Sequence, residues 1–390
     1  RREVVIYLDH AATVSLCPEA LEAMLPFLTE QYGNPSALYE SGRRARQALA
    51  AARQSLAETL GCLPEELYFT SGGTEANNWA LLAMAEAARE RGDKPFLIAT
   101  EIEHHAVLET LRYGKQAGLL DYALLPVSRE GRTDLTAAEA LLEKRPALVS
   151  CMGANNETGT QQPLRELLAL CRERNIPLHS DLVQVYGQLP LGELLGEELP
   201  DLFSVSAHKF GGPKGVGFLY IRRGLKVGAL LHGGAQERGR RAGTENVAGI
   251  VGMAAAARAA HAALTKRGEK KRRLSELFFA LLREGIPGLR QNGSAVKRLP
   301  GHLNLCFPGI SAELLLILLD QAGIAASAGA ACASGALEPS HVLLAMGCSE
   351  REARSSLRFS FGGENTEEEV REAADIVIDR ANKLKEDAAP

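Results

Sequence analysis

Short apolar segments alternate with longer amphipathic stretches over the first two thirds of the chain. The segments with the length and composition of buried strands are residues 66–70, 96–100, 122–126, 147–152, 177–180, 202–205 and 217–221. The stretches between them place apolar residues at helical spacing, most clearly at residues 42–60, 76–91 and 163–174. This alternation predicts an α/β fold in which helices cover both faces of a mainly parallel, seven-stranded sheet.

The pattern changes near residue 247. Residues 247–284 are rich in Ala, Leu, Lys and Arg and predict one long helix that leaves the first domain. Strand-like pieces follow at residues 302–307 and 357–360, and a helical pattern covers residues 367–385. The strongest apolar run, residues 314–319, is far shorter than the ~20 residues of a membrane helix and predicts a buried element.

The length of the chain predicts two domains. Its 390 residues exceed the roughly 250–300 at which a single hydrophobic core stops growing. We assign residues 17–260 to a large domain, and residues 1–16 together with 261–390 to a small α+β domain. Residues 325–337 are rich in Ala, Gly and Ser, a composition that predicts a mobile loop in the small domain.

Composition and charge narrow the choice of partners. A net charge of −4 and a pI near 6.2 indicate no basic surface for nucleic acid. No apolar run predicts a membrane span or a signal peptide. The cysteines are odd in number and scattered, as is typical of reduced thiols: Cys17, Cys62, Cys151, Cys171, Cys306, Cys332 and Cys348. We therefore expect a cytoplasmic protein, and no local Cys/His spacing suggests a metal site.

Two groups of polar residues follow predicted strands and could bind a phosphate. The turn TSGGT at residues 70–74 leads into a helix, whose first N–H groups and dipole attract anions. Gly73 and Thr74 are its candidate contacts, although Thr74 could instead cap the helix. Ser206 and His208, at the end of another strand, could hold further phosphate oxygens.

Four further residues near the ends of predicted strands have side chains that together suit a pyridoxal cofactor. Lys209 could form a Schiff base if its surroundings lower its pKa, although a single lysine is usually a surface charge. Asp181 could keep the pyridine nitrogen protonated or could cap the next helix, and Gln184 lies one helical turn further on. His104 could stack on the ring and move protons, although a single histidine is more often structural.

These residues belong to motifs that extend over nearly the whole chain. The motifs are YLDHAAT (7–13), GNPS (33–36), TSGGTEANN (70–78), IEHHAV (102–107), ANNETG (154–159), DLVQ (181–184), SAHKFGGPKG (206–215), GGAQERGRRAGTEN (233–246), AC (331–332) and LEPSHVLLAM (337–346). In this order they resemble the cysteine desulfurases of the NifS/IscS type. Those enzymes belong to the class-V aminotransferase family, whose members are fold-type I enzymes with pyridoxal 5′-phosphate as cofactor.

The resemblance implies a role for each candidate residue. Lys209 would bind the cofactor covalently, and the other cofactor contacts would be Gly73, Thr74, Asn156, Asp181, Gln184, Ser206 and His208. His104 would lie over the ring. Thr244 would reach the phosphate of the partner subunit, which implies a homodimer with shared sites. Arg358 would bind the substrate carboxylate with the help of Asn34.

The resemblance also implies the reaction and its product. The substrate would be L-cysteine, whose sulfur the thiolate of Cys332 would attack, leaving a persulfide on the enzyme and releasing L-alanine. The persulfide would then pass to acceptor proteins, in iron–sulfur cluster assembly or in thiolation. Departures from the commonest family pattern at His10, Leu182 and Tyr39 remove no residue that this chemistry requires.

Other functions fit parts of this pattern. A selenocysteine lyase shares the fold and cofactor pocket and needs no protein nucleophile. An aminotransferase has no use for Cys332 and would yield a keto acid. A catalytically inactive scaffold would have no reason to keep Lys209, Asp181, His104, Cys332 and Arg358 together. We therefore expect a cysteine desulfurase.

Overall fold

The computed structural model describes residues 5–328 and 338–387. Within these residues the strands are β1 (Ile6–Tyr7), β2 (Leu67–Thr70), β3 (Phe96–Thr100), β4 (Asp121–Leu125), β5 (Leu148–Ser150), β6 (Leu178–Asp181), β7 (Leu202–Ser206), β8 (Gly217–Ile221), β9 (Arg290–Asn292), β10 (His302–Cys306), β11 (Ile324–Ala325) and β12 (Ser356–Ser360). The α-helices are α1 (Pro18–Thr29), α2 (Glu40–Leu60), α3 (Gly73–Glu90), α4 (His105–Gln116), α5 (Leu135–Leu142), α6 (Leu164–Glu173), α7 (Leu191–Leu195), α8 (Val247–Ala262), α9 (Leu264–Gly285), α10 (Ala312–Gln321), α11 (His341–Ala345), α12 (Glu350–Ala353) and α13 (Glu367–Asp387).

The main sheet consists of the seven predicted strands in the order β2-β8-β7-β6-β5-β3-β4. Every strand runs in the same direction except β8, which is antiparallel to both of its neighbours. The prediction of a mainly parallel seven-stranded sheet is confirmed. Since β2, β3, β5, β6 and β7 share one direction, their carboxyl ends meet at one edge of the sheet.

Helices cover both faces of this sheet, which explains why its strands are almost continuously apolar. Leu202 and Phe203 are adjacent in β7 and point to opposite faces. Leu202 lies in a core with Trp79 of α3, while Phe203 lies in a second core with Leu56 of α2 and Met253 of α8. Both faces of each strand are therefore shielded from water.

A separate hydrophobic core lies between α9, α10, α13 and the antiparallel sheet β12-β10-β9. Strands β10 and β12 lie where the sequence predicted strands. The start of the chain joins this part of the molecule, because β1 pairs with β11 and Leu8 is buried in the same core. The division of the chain into domains at residues 16/17 and 260/261 stays a prediction.

The prediction of one helix over residues 247–284 is wrong. Two helices, α8 and α9, meet at Ala263 with a bend of 70°. The apolar α8 packs against α1 and α2, whereas the charged α9 packs against α13 in the other core. The axis turns because the two helices belong to different cores.

The apolar run at residues 314–319 is only partly buried. It lies in α10, where Leu315 and Leu319 are fully buried but Leu314 and Ile317 are about half exposed (52% and 48%). The prediction of a buried element is wrong for those two side chains, because α10 packs through one face only. Of the helices that the structure describes, none alone is long and apolar enough to cross a membrane; only α8 and α9 taken together, bent as they are, pass such a test.

Candidate active site

A cavity of about 530 Å³ lies at the carboxyl edge of the main sheet. Ten of the predicted site residues line it: Gly73, Thr74, His104, Asn156, Asp181, Gln184, Ser206, His208, Lys209 and Arg358. They come from six different segments of the chain: five of these follow strands of the main sheet, whose parallel strands bring them to the same edge, and the sixth is Arg358 in β12.

One end of the cavity is the predicted phosphate turn. Helix α3 begins there with Gly72 as its N-cap residue, which has φ +151° and no side-chain cap. The amides of the first helical turn have no partner within the helix. Ser206 ends β7 beside this turn, close enough that a Cβ on Gly72 would lie 3.6 Å from its Oγ. The turn thus offers backbone amides, beside the hydroxyl of Ser206, at a position where the turn residues Gly72 and Gly73 have no side chains of their own.

His208 stands next to these donors and is held by a neighbouring threonine. Its Nδ1 lies 3.1 Å from Oγ1 of Thr13. Burial, and then the charges of Lys209 and Lys214, lower the pKa of His208 to about 4. The ring is therefore neutral near pH 7, with one N–H to donate.

Lys209 has the surroundings that a Schiff-base lysine needs. Its Nζ donates to the backbone oxygens of Ala11 (2.6 Å) and Ala12 (2.8 Å). Burial lowers the pKa of Lys209 to about 8, and the charge of Arg358 contributes to the same shift, while Asp181 and Asp9 oppose it. A substantial fraction of the amine is therefore neutral at moderately alkaline pH.

Asp181 ends β6 and is almost completely buried. Its Oδ1 accepts from the amide of Val183 at 2.9 Å, and its Oδ2 accepts from Nδ2 of Asn77 at 2.7 Å. Nearby, Nε2 of Gln184 donates to the backbone oxygen of Ala11 at 3.0 Å. The carboxylate is thus fixed at the cavity wall with lone pairs left to accept a further proton donor.

His104 lines the cavity at the start of α4. Its Nδ1 accepts from the amide of Ala106 at 3.0 Å and so caps the helix. Burial lowers the pKa of His104, and the charge of Lys209 also lowers it, while Asp181 acts in the opposite direction. His104 therefore has a structural role and also lines the site. Its ring caps α4, and this contact fixes the ring at the cavity wall.

Arg358, in β12, is held by two acceptors. Its Nη2 donates to Oδ1 of Asp9 at 2.7 Å, and its Nη1 donates to the backbone oxygen of Asn156 at 2.9 Å. Its Nε is buried and has no hydrogen-bond partner among the described residues. An unpaired N–H in a buried guanidinium beside a cavity is a suitable donor for a ligand carboxylate.

Two predicted residues that the structure describes are not brought to this cavity, and a third lies outside the described part of the chain. Asn34 is exposed and its Oδ1 accepts from the amide of Ser36; it is not among the described residues that line the cavity. Thr244 is exposed and likewise absent from that lining within the described chain. Cys332 lies outside the described residues.

Several residues that line or support the site were not predicted from the sequence. Asp9, Ala11, Ala12 and Thr13 contact Arg358, Lys209 and His208, and Asn77 contacts Asp181. The first four lie in the quoted motif YLDHAAT and Asn77 in TSGGTEANN, so both motifs could have indicated them. No local pattern shows that backbone oxygens of residues 11 and 12 would face a lysine.

Comparison with known proteins decides the family. The model of the aminotransferase class-V family matches residues 6–372. The chain belongs to the class-V aminotransferase family. A relative within it, cysteine desulfurase IscS of Clostridium botulinum, is 44% identical over 370 residues, covering 94% of this chain and 91% of its own.

Two solved structures of family members are also similar. A NifS-like protein has a TM-score of 0.90 and 37% identity, covering 97% of this chain and 100% of its own. SspA in complex with cysteine has a TM-score of 0.80 and 31% identity, covering 93% of this chain and 100% of its own. The resemblance to cysteine desulfurases is confirmed, and with it a pyridoxal-phosphate enzyme.

The residues around the cavity fit pyridoxal phosphate. The glycine turn at Gly72 leaves room and amides for a phosphate, and Lys209 is a buried amine of lowered pKa. Asn77 Oδ1, at the cavity wall, is buried with no partner among the described residues, as is Arg358 Nε. Orphaned polar atoms of this kind indicate that a polar ligand completes the site.

Proposed function

We propose that this chain removes sulfur from L-cysteine with pyridoxal phosphate and carries it as a persulfide on Cys332. The observation that carries the proposal is the meeting, in one cavity, of the lysine of lowered pKa, the carboxylate of Asp181 and the guanidinium of Arg358. The relative from Clostridium botulinum carries the name cysteine desulfurase, so the selenocysteine lyase alternative is not favoured.

Each group of the cavity has a place in this reaction. When bound, pyridoxal phosphate withdraws electrons from the substrate α-carbon and stabilises negative charge there. Lys209, whose amine is neutral in part, accepts the α-proton. Asp181 holds a proton on the ring nitrogen, and His104 lines the same cavity as a proton donor or acceptor. Gly73, Thr74, Ser206 and His208 hold the phosphate, with Asn156 and Gln184 at the ring.

Arg358 binds the substrate carboxylate in this proposal. Its unpaired Nε and the cavity-lining position of its guanidinium support that role. The structure of the relative SspA contains cysteine, which supports the same substrate for this chain. Asn34 stays a predicted helper.

Cys332 is proposed as the sulfur acceptor because the described residues on both sides of it are tied to the site. Ser327 exchanges two backbone hydrogen bonds with Arg358. Ser340 donates to the buried carboxyl of Glu157. Cys332 follows Ser327 by five positions, which an extended chain spans in about 18 Å at most. Sulfur could then pass onward to an acceptor protein, such as an iron–sulfur scaffold.

A homodimer is proposed from exposed apolar residues on α1 and from the position of Thr244. Leu21, Leu25 and Leu28 lie at helical spacing on α1 and are 47%, 49% and 58% exposed, and Tyr32, just beyond the end of the helix, is 82% exposed. A second copy of this chain is the occupant we propose for this surface. Thr244 would then reach the partner's cavity, which is consistent with its exposure in its own chain.

A cytoplasmic location also remains a proposal. The six cysteines that the structure describes are all free thiols. Reduced thiols are the normal state in the cytoplasm.

Mass spectrometry tests the proposed reaction directly. The purified holoenzyme is incubated with L-cysteine, digested without reductant and searched for a peptide whose cysteine has gained one sulfur atom. We expect that mass on Cys332 and release of L-alanine. Cys332→Ala should keep the cofactor absorbance and lose desulfuration, whereas Lys209→Ala should lose both. Normal alanine production by the Cys332 variant would contradict the proposed acceptor.

A further inference from the structure

One short segment, residues 9–12, contacts two positively charged groups of the site, Arg358 and Lys209. Asp9 accepts from Nη2 of Arg358, and the backbone oxygens of Ala11 and Ala12 accept from Nζ of Lys209. The segment therefore links the group proposed to bind the substrate carboxylate with the group proposed to bind the cofactor.

The Asp9 carboxylate fixes one side of the Arg358 guanidinium. The O–N distance is 2.7 Å, and the side chains are 17% and 6% exposed, so water screens this pair little. The backbone oxygen of Asn156 fixes Nη1. Because Nη1 and Nη2 are both held, the orientation of the guanidinium is fixed. Its Nε–H has no partner among the described residues and points in a defined direction. A carboxylate ligand thus meets a guanidinium that is already oriented.

The Asp9 charge also acts on Lys209. Three neighbouring charges affect that lysine: Arg358 lowers its pKa, whereas Asp181 and Asp9 raise it. His104 and His208 also face Lys209, but burial lowers the pKa of both rings. Asp9 is therefore one of two carboxylates, after Asp181, that partly offset the effect of Arg358 on the pKa of Lys209, and it is the one that also contacts Arg358.

The fold does not need the Asp9 carboxylate to hold the segment in place. His10 binds the backbone oxygen of Ser360 through Nδ1 at 2.9 Å and Oε1 of Glu364 through Nε2 at 2.8 Å. The amide of Ala11 donates to Oγ of Ser360 at 2.8 Å. These contacts anchor residues 10 and 11 on β12 and the turn that follows it, which leaves the Asp9 side chain free for a role in the site.

We propose that Asp9 is a positioning residue that orients Arg358 for the substrate carboxylate and balances its charge beside Lys209. This inference rests on the proposed function, because it takes Arg358 and Lys209 in the roles given there. Asp9 is the second residue after β1 and lies far in sequence from Lys209 and Arg358. A part in substrate binding is therefore not evident from its position in the chain.

The first test changes the charge and keeps the shape. Asp9→Asn retains an oxygen that can accept from Nη2 but leaves Arg358 without its counter-charge. In the holoenzyme, the pH midpoint of the absorbance change of the Lys209–cofactor link should fall by roughly one unit. Asp121→Asn is the matched control, because Asp121 is an exposed carboxylate paired with Lys115 away from the cavity. An unchanged midpoint in Asp9→Asn would overturn the charge role.

The second test removes the orienting contact. Asp9→Ala should weaken the binding of L-alanine, the proposed product, by roughly tenfold, measured by the change in cofactor absorbance. Asp9→Asn should weaken it less than threefold, because its amide oxygen still holds Nη2. Equal binding by Asp9→Ala and the wild type would overturn the orienting role. Thermal melting of each variant shows whether the fold is retained.

Failure of the role proposed for Asp9 can be distinguished from failure of the proposed reaction. Alanine binding and the absorbance titration do not require sulfur transfer. If the wild type binds cofactor and alanine but produces no persulfide, the proposed reaction fails while the Asp9 tests remain valid. If persulfide forms normally and the Asp9 variants titrate and bind as the wild type does, only the Asp9 inference fails.

Discussion

At the scale of single residues, the site depends on burial that changes the protonation of ordinary side chains. Lys209 has a pKa lowered to about 8 and His208 one lowered to about 4, in each case mainly through burial. Near pH 7, His208 is thus neutral, and Lys209 changes charge far closer to neutral pH than an ordinary lysine does. Such shifted groups are typical of catalytic sites.

The pKa of Lys209 predicts how cofactor loading depends on pH. Only the neutral amine attacks the aldehyde, so the loading rate of apoprotein should fall about tenfold per pH unit below pH ~8 and level off above it. Stopped-flow absorbance after mixing with pyridoxal phosphate measures this rate. A rate that continued to rise towards the ordinary lysine value of about 10.4 would contradict the lowered pKa.

A second prediction concerns the charge of Asp181. Asp181→Asn should decrease turnover by roughly 100-fold or more, because an amide does not keep the ring nitrogen protonated. The fold should tolerate it, since the Asn77 amide can turn so that its unpaired Oδ1 meets the new amide. Steady-state alanine production and thermal melting check both points. Full activity in this variant would exclude Asp181 from the proposed role.

At the scale of elements, β8 closes the phosphate end of the site and is the strand of the main sheet that runs opposite to the others. Strand β8 lies between β2 and β7 and returns antiparallel to both. Its first residue, Gly217, pairs with Ser206 and Thr70, the last residues of those two strands. The strand thus begins directly behind the phosphate turn.

This arrangement predicts that Gly217 tolerates no side chain. A Cβ there would lie 2.3 Å from the backbone oxygen of Val205 and 2.9 Å from Cα of Gly72, so strands must separate. Gly217→Ala should cost about 1–3 kcal/mol in the free energy of unfolding and weaken cofactor retention. Gly224→Ala is a control for space, since a Cβ at that glycine meets no atom within 4 Å, although its φ of +91° adds some strain. Denaturant unfolding and dialysis against cofactor-free buffer measure the two effects.

At the scale of the whole molecule, an exposed apolar stripe on α1 is the surface on which the proposed homodimer depends. Helix α1 packs against α8, and leaves Leu21, Leu25 and Leu28 exposed. Apolar surface of this continuity is unusual on a monomer. The proposed homodimer would bury it and bring Thr244 to the partner's cofactor.

The dimer proposal predicts a linked loss of assembly and cofactor affinity. Leu25→Glu should produce monomers at micromolar concentration, because two carboxylates would have to be buried in each symmetric interface. Those monomers should also release pyridoxal phosphate faster, as each site would lose Thr244 of the partner subunit. Sedimentation velocity and absorbance measure both. Val296→Glu, at a residue that is 85% exposed and not on α1, is the matched control. A dimeric Leu25 variant would contradict the proposed interface.

The sequence by itself determined the seven strands of the main sheet, because each has a buried apolar composition that depends little on its neighbours. It also identified ten cavity residues: eight lie in motifs that follow strands of the parallel sheet, whose carboxyl ends meet, whereas Asn156 and Arg358 were expected only from the family resemblance. It did not determine the bend at Ala263 or the exposure of Leu314, because these depend on which core each helix contacts.

Only the tertiary structure decided how the site is held. The contacts of Asp9 with Arg358 and of Ala11 and Ala12 with Lys209 join residues about 200 to 350 positions apart, which no local periodicity encodes. The pKa of Lys209 is likewise a property of the assembled cavity, since burial and neighbouring charges determine it. Sequence supplies the reactive groups, and the packing of distant segments determines their orientation and charge.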